Sequence, residues 1–524
     1  MCVRRSTCAA LVALAVVFAE TPAAADEPLA SSDTRKERGD PRARGGETAA
    51  PFDYTTPAER TYLRAVVEEA LILGLGYAQY ATNKAGNEAD WDLAPEWSSV
   101  EKKLTLSALT FDNNYFDTNW LTHPAAGFLY YSAARGNRLS IPVSLLFATT
   151  SSTLWEYFGE LREHAAINDL IATPVTGVAL GEPALQLGAL FQRARPSPAW
   201  TALGWIFAPF KSMHDALDGL EPAPSDEVDG LGLPTDVWHR ISLGGSVGVT
   251  HQERGRTQGD GRLLARSRIV GIPGYGKAGV RGGWFSSGEV TDLRLQTAVS
   301  EGRLVDIMLS SHVLPFGYAY QEVAVDDAGH LRGHGIVAGL HVGAEYGHHD
   351  WDRDRRRAQD RIALVDTGLA LEGRVHAGGW TVRTGVDGLA SFAGVDAYAL
   401  PEERLVHSDI HLPSVLRNKG YYHAYGATLR PRVEAERGRF DAGGELRVDW
   451  FESIAHADVE PIATNVRLDA SDRRILTRGW IGFHPTPHIR ISFGAEWAER
   501  EGRVTSARAS RSELGVHGGT EVVF

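Results

Sequence analysis

Apolar side chains recur at helical spacing in the first part of this chain and at every second position in the rest, a pattern that predicts two architectures in series. Tyr62, Val66, Ala70 and Leu73 share one helical face, and Thr56 is placed to cap a helix entered at Pro57. Further helices are predicted at about 115–135, 140–162, 168–192 and 199–218. The stretch from Pro222 to Pro234 is rich in Pro, Gly, Asp and Glu and reads as a linker. It separates a helical domain at 51–220 from a second domain at 236–524.

In the second domain the period is two. Phe440, Ala442, Leu446, Val448 and Trp450 point one way while Asp441, Glu445, Arg447 and Asp449 point the other, and Ile489, Ile491, Phe493, Ala495 and Trp497 repeat the pattern against Arg490, Ser492 and Glu496. A β-sandwich in water would alternate in the same way. Loop lengths favour a barrel in lipid: short connections at Ala377-Gly378-Gly379, Gly438 and Pro485 to His488 alternate with long ones at about 393–419, 453–471 and 500–509. The last strand ends on Phe524, an aromatic terminus of the kind common in outer-membrane barrels. The expected fold is therefore α+β multidomain, an N-terminal α-helical domain followed by a C-terminal antiparallel transmembrane β-barrel of about 14 strands, within a range of about 12 to 16.

Export is consistent with the N-terminus. Arg4 and Arg5 precede an apolar run from Ala9 to Phe18, and Ala23, Ala24 and Ala25 provide small residues for cleavage, so 1–25 reads as a signal peptide and 26–50 as a disordered linker. Both cysteines, Cys2 and Cys8, lie in that signal, which removes thiol chemistry from the mature chain. A net charge of -13 and a mean hydropathy of -0.21 are too polar for a bundle of transmembrane helices and unsuited to nucleic acid, but an alternating barrel is compatible with both.

Candidate chemistry sits in the helical domain. Its densest polar motifs are Phe111-Asp112-Asn113-Asn114-Tyr115 followed by Thr118-Asn119-Trp120 and His123-Pro124, then Trp155-Glu156-Tyr157-Phe158-Gly159-Glu160, then Ile167-Asn168-Asp169-Leu170. The block from about Trp97 to Phe191 that carries them resembles an uncharacterised bacterial family, a domain of unknown function found ahead of outer-membrane barrels. The resemblance implies the architecture and no activity.

Polar residues at helical spacing predict stripes that converge. His123, Glu156, Glu160 and Asp169 are the candidate catalytic group, and Asp112, Asn113, Asn114, Asn119 and Asn168 are candidate binding residues. The competing reading is structural: Thr122 or Asn119 caps the helix entered at Pro124, Asn168 caps the next, and the glutamates face solvent. Only His123 and His164 are nearby imidazoles, so no metal and no cofactor is expected. The run Gly347 to Asp354 reads as a charged outer loop.

Three functions follow as expectations. The first is a non-enzymatic outer-membrane channel or binding protein, its helical domain in the periplasm at the barrel mouth, with outer-membrane lipid, a periplasmic protein or lipid, and the barrel assembly machinery as partners. The second is an envelope enzyme acting on lipid or glycan through the His/Glu/Asp group, and the third a structural envelope protein. The inward charges of the barrel fit either an open polar channel or a lumen filled by ion pairs.

Overall fold

The change of period near Asp236 is a change of architecture. The computed structural model describes residues 60–84, 93, 96–253, 257–351, 359–406, 415–454 and 469–524. The expected signal peptide, the linker at 26–50, the Thr56 cap and residues 352–354 of the loop expected at 347–354 lie outside the described residues, whereas Gly347 to Asp350 of that loop are strand.

The helical part comprises α1 (Tyr62–Lys84), α2 (Trp97–Leu104), α3 (His123–Gly136), α4 (Ile141–Leu154), α5 (Ile167–Gln192), α6 (Pro198–Phe207) and α7 (Pro209–Leu217). Wide π-turns lead into α3 at Thr118–Thr122 and out of α4 at Trp155–Gly159. Two short strands, β1 (Leu109–Thr110) and β2 (Ala165–Ala166), pair in parallel and bring the motif after β1 beside the start of α5. Helices α3 and α5 run in step: Gly127 lies against Thr173, Gly177 and Gly181 against Tyr131, and Arg135 donates to Glu182 at 2.8 Å. These contacts recur about every four residues on both helices, the spacing that keeps residues on one helical face.

The second part is a closed antiparallel barrel of 12 strands plus one extra strand. The ring is formed by β3 (Trp238–Gln252), β4 (Thr257–Val270), β6 (Val290–Ser300), β7 (Arg303–Val325), β8 (Leu331–Asp350), β9 (Gln359–Ala377), β10 (Trp380–Asp396), β11 (Tyr421–Arg437), β12 (Phe440–Ser453), β13 (Ala470–Thr486), β14 (Ile489–Val504) and β15 (Ala507–Val523). It closes through β15 on β3 and β7 on β8. The extra strand, β5 (Gly279–Phe285), pairs with β7 beyond the point where β6 stops.

The 12 strands of the ring lie within the expected range of about 12 to 16, and two features account for the difference from 14. The strands expected at 303–313 and 317–325 are the single strand β7, which passes Pro315 through an irregularity between Val313 and Phe316. A bulge accommodates a proline that otherwise reads as a turn signal. The strand expected at 276–285 is β5, outside the ring. The long loop expected at 500–509 is a tight turn, in which Thr505 takes φ 53°.

Ion pairs between strands that are not neighbours fix the inward face. Arg447 of β12 meets Glu345 of β8, Arg268 of β4 meets Glu372 of β9, and Arg262 of β4 lies 3.5 Å from Glu496 of β14. The interior is filled. At the end with the long loops, Tyr422, Phe451, Leu364 and Val395 pack with Leu400 of α8 (Leu400–Val406) and Leu416 of α9 (Val415–Lys419). At the end with the chain terminus, the hydroxyl of Tyr275 donates to Glu372 at 2.8 Å while Arg374 covers its ring at 4.0 Å. Beyond the long-loop packing a cavity of about 140 Å³ is lined largely by arginines and acids, and Trp238, Arg240, Arg383 and Glu436 line both it and a pocket of about 500 Å³ at the end with the chain terminus.

The helical domain lies along the outer wall of the barrel rather than across its mouth. Ser310 and His312 line the lumen, and Ser311 between them points outward and donates to the carbonyl of Ala179 on α5 at 2.6 Å. The outward residues Ala344, Ala363 and Val365 pack against Ala172 and Ala179, and Ile269 and Leu293 pack against the Leu187 to Phe191 end of α5. Helix α5 thus crosses the wall obliquely, from the long-loop end towards the chain terminus, where Trp200 meets Phe524.

Helices α1 and α4 expose large apolar side chains while burying several polar ones among the apolar core. On α1, Leu63, Leu71 and Leu75 are 78%, 61% and 73% exposed, whereas Glu69 is buried. On α4, Leu146 is exposed while Ser144, Ser151 and Ser152 are buried. Among the described residues no helix is long and apolar enough to cross a membrane.

Candidate functional site

The motif that follows β1 is folded by its own side chains. The Asp112 carboxylate accepts from the Asn114 amide N–H at 3.1 Å and from Asn114 Nδ2 at 2.6 Å, which turns the chain back on itself. The backbone N–H of Asp112 donates to Asn168 Oδ1 at 2.8 Å, and Asn168 Nδ2 donates to Asp169 Oδ1 at 2.9 Å. Asn168 therefore ties the two acids together. The π-turn then delivers His123 as the first residue of α3, beside the first turn of α5. One ligand atom from each of Asp112, His123 and Asp169 falls within 4.8 Å of the others, and His123 Nε2 stands 3.7 Å from Asp169 Oδ2.

Glu156 and Glu160 reach the same region from the π-turn after α4. Glu156 is fully buried, with Oε2 accepting from the Ala166 N–H at 2.8 Å. Lys103 anchors this turn by donating to the carbonyl oxygens of Glu156 and, at 2.7 Å, Glu160. Three buried oxygens here have no hydrogen-bond partner: Asp169 Oδ2, Glu156 Oε1 and Asn119 Oδ1.

Burial of several acids together raises their affinity for protons. Burial pushes Asp169 and Glu156 well above the usual carboxylate range, and the negative charges of neighbouring acids add to it. Burial also raises Asp112, against the opposing pull of His123. Glu160 is pushed up to about 7, mainly by burial, with His123 again pulling the other way. A group near neutrality exchanges protons readily at physiological pH.

The barrel wall completes the site. Tyr421 donates to the Asn114 carbonyl at 2.7 Å and accepts from Asn119 Nδ2 at 3.0 Å, while His423 Nε2 lies 3.0 Å from the Asp112 carbonyl oxygen. Trp120 lies against Gly394 of β10, where a Cβ would overlap the indole. All of these wall residues lie at the long-loop end of their strands.

His123, Glu156, Glu160 and Asp169 are thus brought together, with Asp112, Asn114, Asn119 and Asn168 around them. Asn113 is exposed, and His164 is outside the three-residue group. The capping alternative is corrected: α3 follows Thr122 with no side-chain cap, Ala166 occupies the cap position of α5, and Glu156 and Glu160 are buried. The expectation of no metal rested on counting imidazoles, a count that leaves out Asp112 as a third ligand. Lys103, Tyr421 and His423 had no sequence signal, since the two wall residues lie about 300 positions from their partners in the chain.

Residues 108–210 match a family described as "Domain of unknown function (DUF3943)". Among curated proteins there is no match. Solved structures similar to this chain include OmpT, an outer membrane protein of Vibrio cholerae, at 8% identity and a TM-score of 0.21, covering 55% of this chain and 97% of that one. The translocator domain of the autotransporter NalP from Neisseria meningitidis gives 9%, a TM-score of 0.23, and 55% and 89% coverage. An anion-selective porin from Comamonas acidovorans gives 9%, a TM-score of 0.14, and 55% and 99%. At that level of likeness the barrel stands on its own strand pairing.

Proposed function

We propose that this protein is an outer-membrane enzyme that hydrolyses a membrane amphiphile, a lipid or lipid-linked glycan, at a site between its barrel wall and a helical domain seated beside the barrel in the bilayer. The carrying observation is the group of His123, Asp112, Asp169, Glu156 and Glu160 with its partnerless buried oxygens. Perturbed acids gathered at one place are the usual mark of a reactive centre.

The membrane assignment is supported by a closed ring whose outward residues, such as Val247, Leu369 and Phe493, are exposed and apolar. The exposed Leu63, Leu71 and Leu75 of α1 and Leu146 of α4 support placing these helices in the same apolar medium, since large exposed apolar patches mark surfaces that are covered. With the chain terminus and most short turns on the periplasmic side, the site lies at the level of the outer leaflet. A substrate then enters sideways from the bilayer and needs no passage through the filled lumen.

In this reading Glu160 takes a proton from water, and the resulting hydroxide forms a bond to the acyl or glycosidic carbon. Glu156, kept protonated by burial, returns a proton to the departing oxygen as its bond to that carbon breaks. Incubation of the purified full chain with outer-membrane lipid extract, followed by mass spectrometry, tests the proposal. Products that disappear in Glu160→Gln are expected, and absence of any released acyl chain or sugar from the wild-type protein overturns it.

A further inference from the structure

We infer that Asp112, His123 and Asp169 together bind one divalent metal ion at the seam between the helical domain and the barrel. The inference rests on the reading of this seam as the reactive site, and it names the cofactor that the site would use.

Three features carry it. The ligand atoms of the three residues already lie within 4.8 Å of one another, and the 3.7 Å from His123 Nε2 to Asp169 Oδ2 is too long for a hydrogen bond. Two donors that each stand about 2.1 Å from a common ion are separated by roughly 3 to 4 Å, which is this spacing. Second, Asp169 is 1% exposed and its Oδ2, the oxygen that faces His123, has no hydrogen-bond partner. Leaving such an oxygen dry and unpaired is costly unless something occupies the space before it.

Third, the remaining positions are held from outside. Asn168 fixes Asp169 through Oδ1, and Asn114 fixes both oxygens of Asp112, an arrangement in which neighbouring amides orient ligands towards a metal. Glu156 Oε1, also buried and without a partner, belongs to the same group. One imidazole with carboxylate oxygens suits Mn²⁺, Fe²⁺ or Zn²⁺ and excludes a thiolate-type site.

The test uses the full chain in detergent micelles, stripped with EDTA and titrated with MnCl₂, with free Mn²⁺ read by electron paramagnetic resonance. Folding of each variant is checked by its heat-modifiable electrophoretic band. One Mn²⁺ per chain is expected. Asp169→Asn and His123→Ala should abolish it, Asn114→Ala should weaken it about tenfold through loss of ligand orientation, and Glu69→Gln should leave it unchanged. No saturable Mn²⁺ binding by the folded wild type, or equal binding by folded Asp169→Asn and His123→Ala, overturns the inference. Lipid turnover that survives complete metal removal also overturns it while leaving the enzyme reading intact. Stoichiometric binding without turnover upholds the metal site and removes the enzyme.

Discussion

Gly127 of α3 passes so close to Thr173 of α5 that a Cβ on the glycine would overlap the threonine carbonyl. His123 precedes the first by four residues and Asp169 precedes the second by four, so the crossing of the two helices sets the separation of the site's imidazole and one of its buried acids. Gly127→Ala forces the helices apart and is expected to cost about 1 to 3 kcal/mol, the usual penalty of overpacking. Protease resistance of the helical domain should fall while the barrel still migrates as a heat-modifiable band. Unchanged resistance would mean that the two helices are free to shift.

The wall contact makes a second prediction. A side chain at Gly394 meets the Trp120 indole, so Gly394→Val should loosen the site end of the domain from β10 without opening the ring. Chymotrypsin should then cut at Phe111, Tyr115, Phe116 or Trp120 faster than in wild type. An identical digestion pattern would argue that Trp120 is not seated on the wall.

Closure of the lumen predicts electrical silence. Wild-type protein in planar bilayers should show no steady conductance, because Leu400, Leu416 and Tyr422 pack together at the long-loop end. Deleting residues 397–420 should produce it. Steady conductance from the intact protein would restore the channel expectation.

Glu69 on α1 gives a pH test. Burial above all, and then the charge of Glu68, pushes its carboxyl up to about 8 from 4.5, although Ser151 donates to it at 2.7 Å. Between those values the folded protein holds a proton that the unfolded chain has released, so stability is greatest below 4.5, declines as pH rises and levels off above 8. The decline attributable to this group is at most about 1.4 kcal/mol per pH unit. Thermal unfolding of the helical domain at pH 5 and pH 8 should differ less in Glu69→Gln than in wild type. Equal differences would contradict the assignment.

Much of this architecture was legible in the sequence. Alternation such as Ile489 to Trp497 specifies a strand with one greasy face, and the opposite faces carrying Asp441, Glu445, Arg447, Arg490 and Glu496 point inward in the structure. Pro315 misled the strand count because a proline in a bulge has the same local signature as a proline in a turn. Polar positions on successive helices suggested that His123, Glu156, Glu160 and Asp169 converge, but the barrel wall that covers them was not legible. The wall residues Tyr421 and His423 belong to a strand whose period announces only that they face outward. The seating of α5 on Ser311 and Val365 is a long-range contact with no local code, and the period of α1 reveals two faces without saying which one meets its surroundings.

The central claim is that the helical domain stands beside the barrel in lipid. With Cys2 and Cys8 replaced by serine, Leu71→Cys carries a single spin label, and Val247→Cys on the barrel exterior serves as the reference. In reconstituted bilayers, collision rates with oxygen and with a water-soluble nickel complex report the medium around each label. The account predicts that the Leu71 label, like that at Val247, collides more with oxygen than with nickel. A label at Leu71 that is open to nickel and shielded from oxygen would place the domain in water and contradict the account.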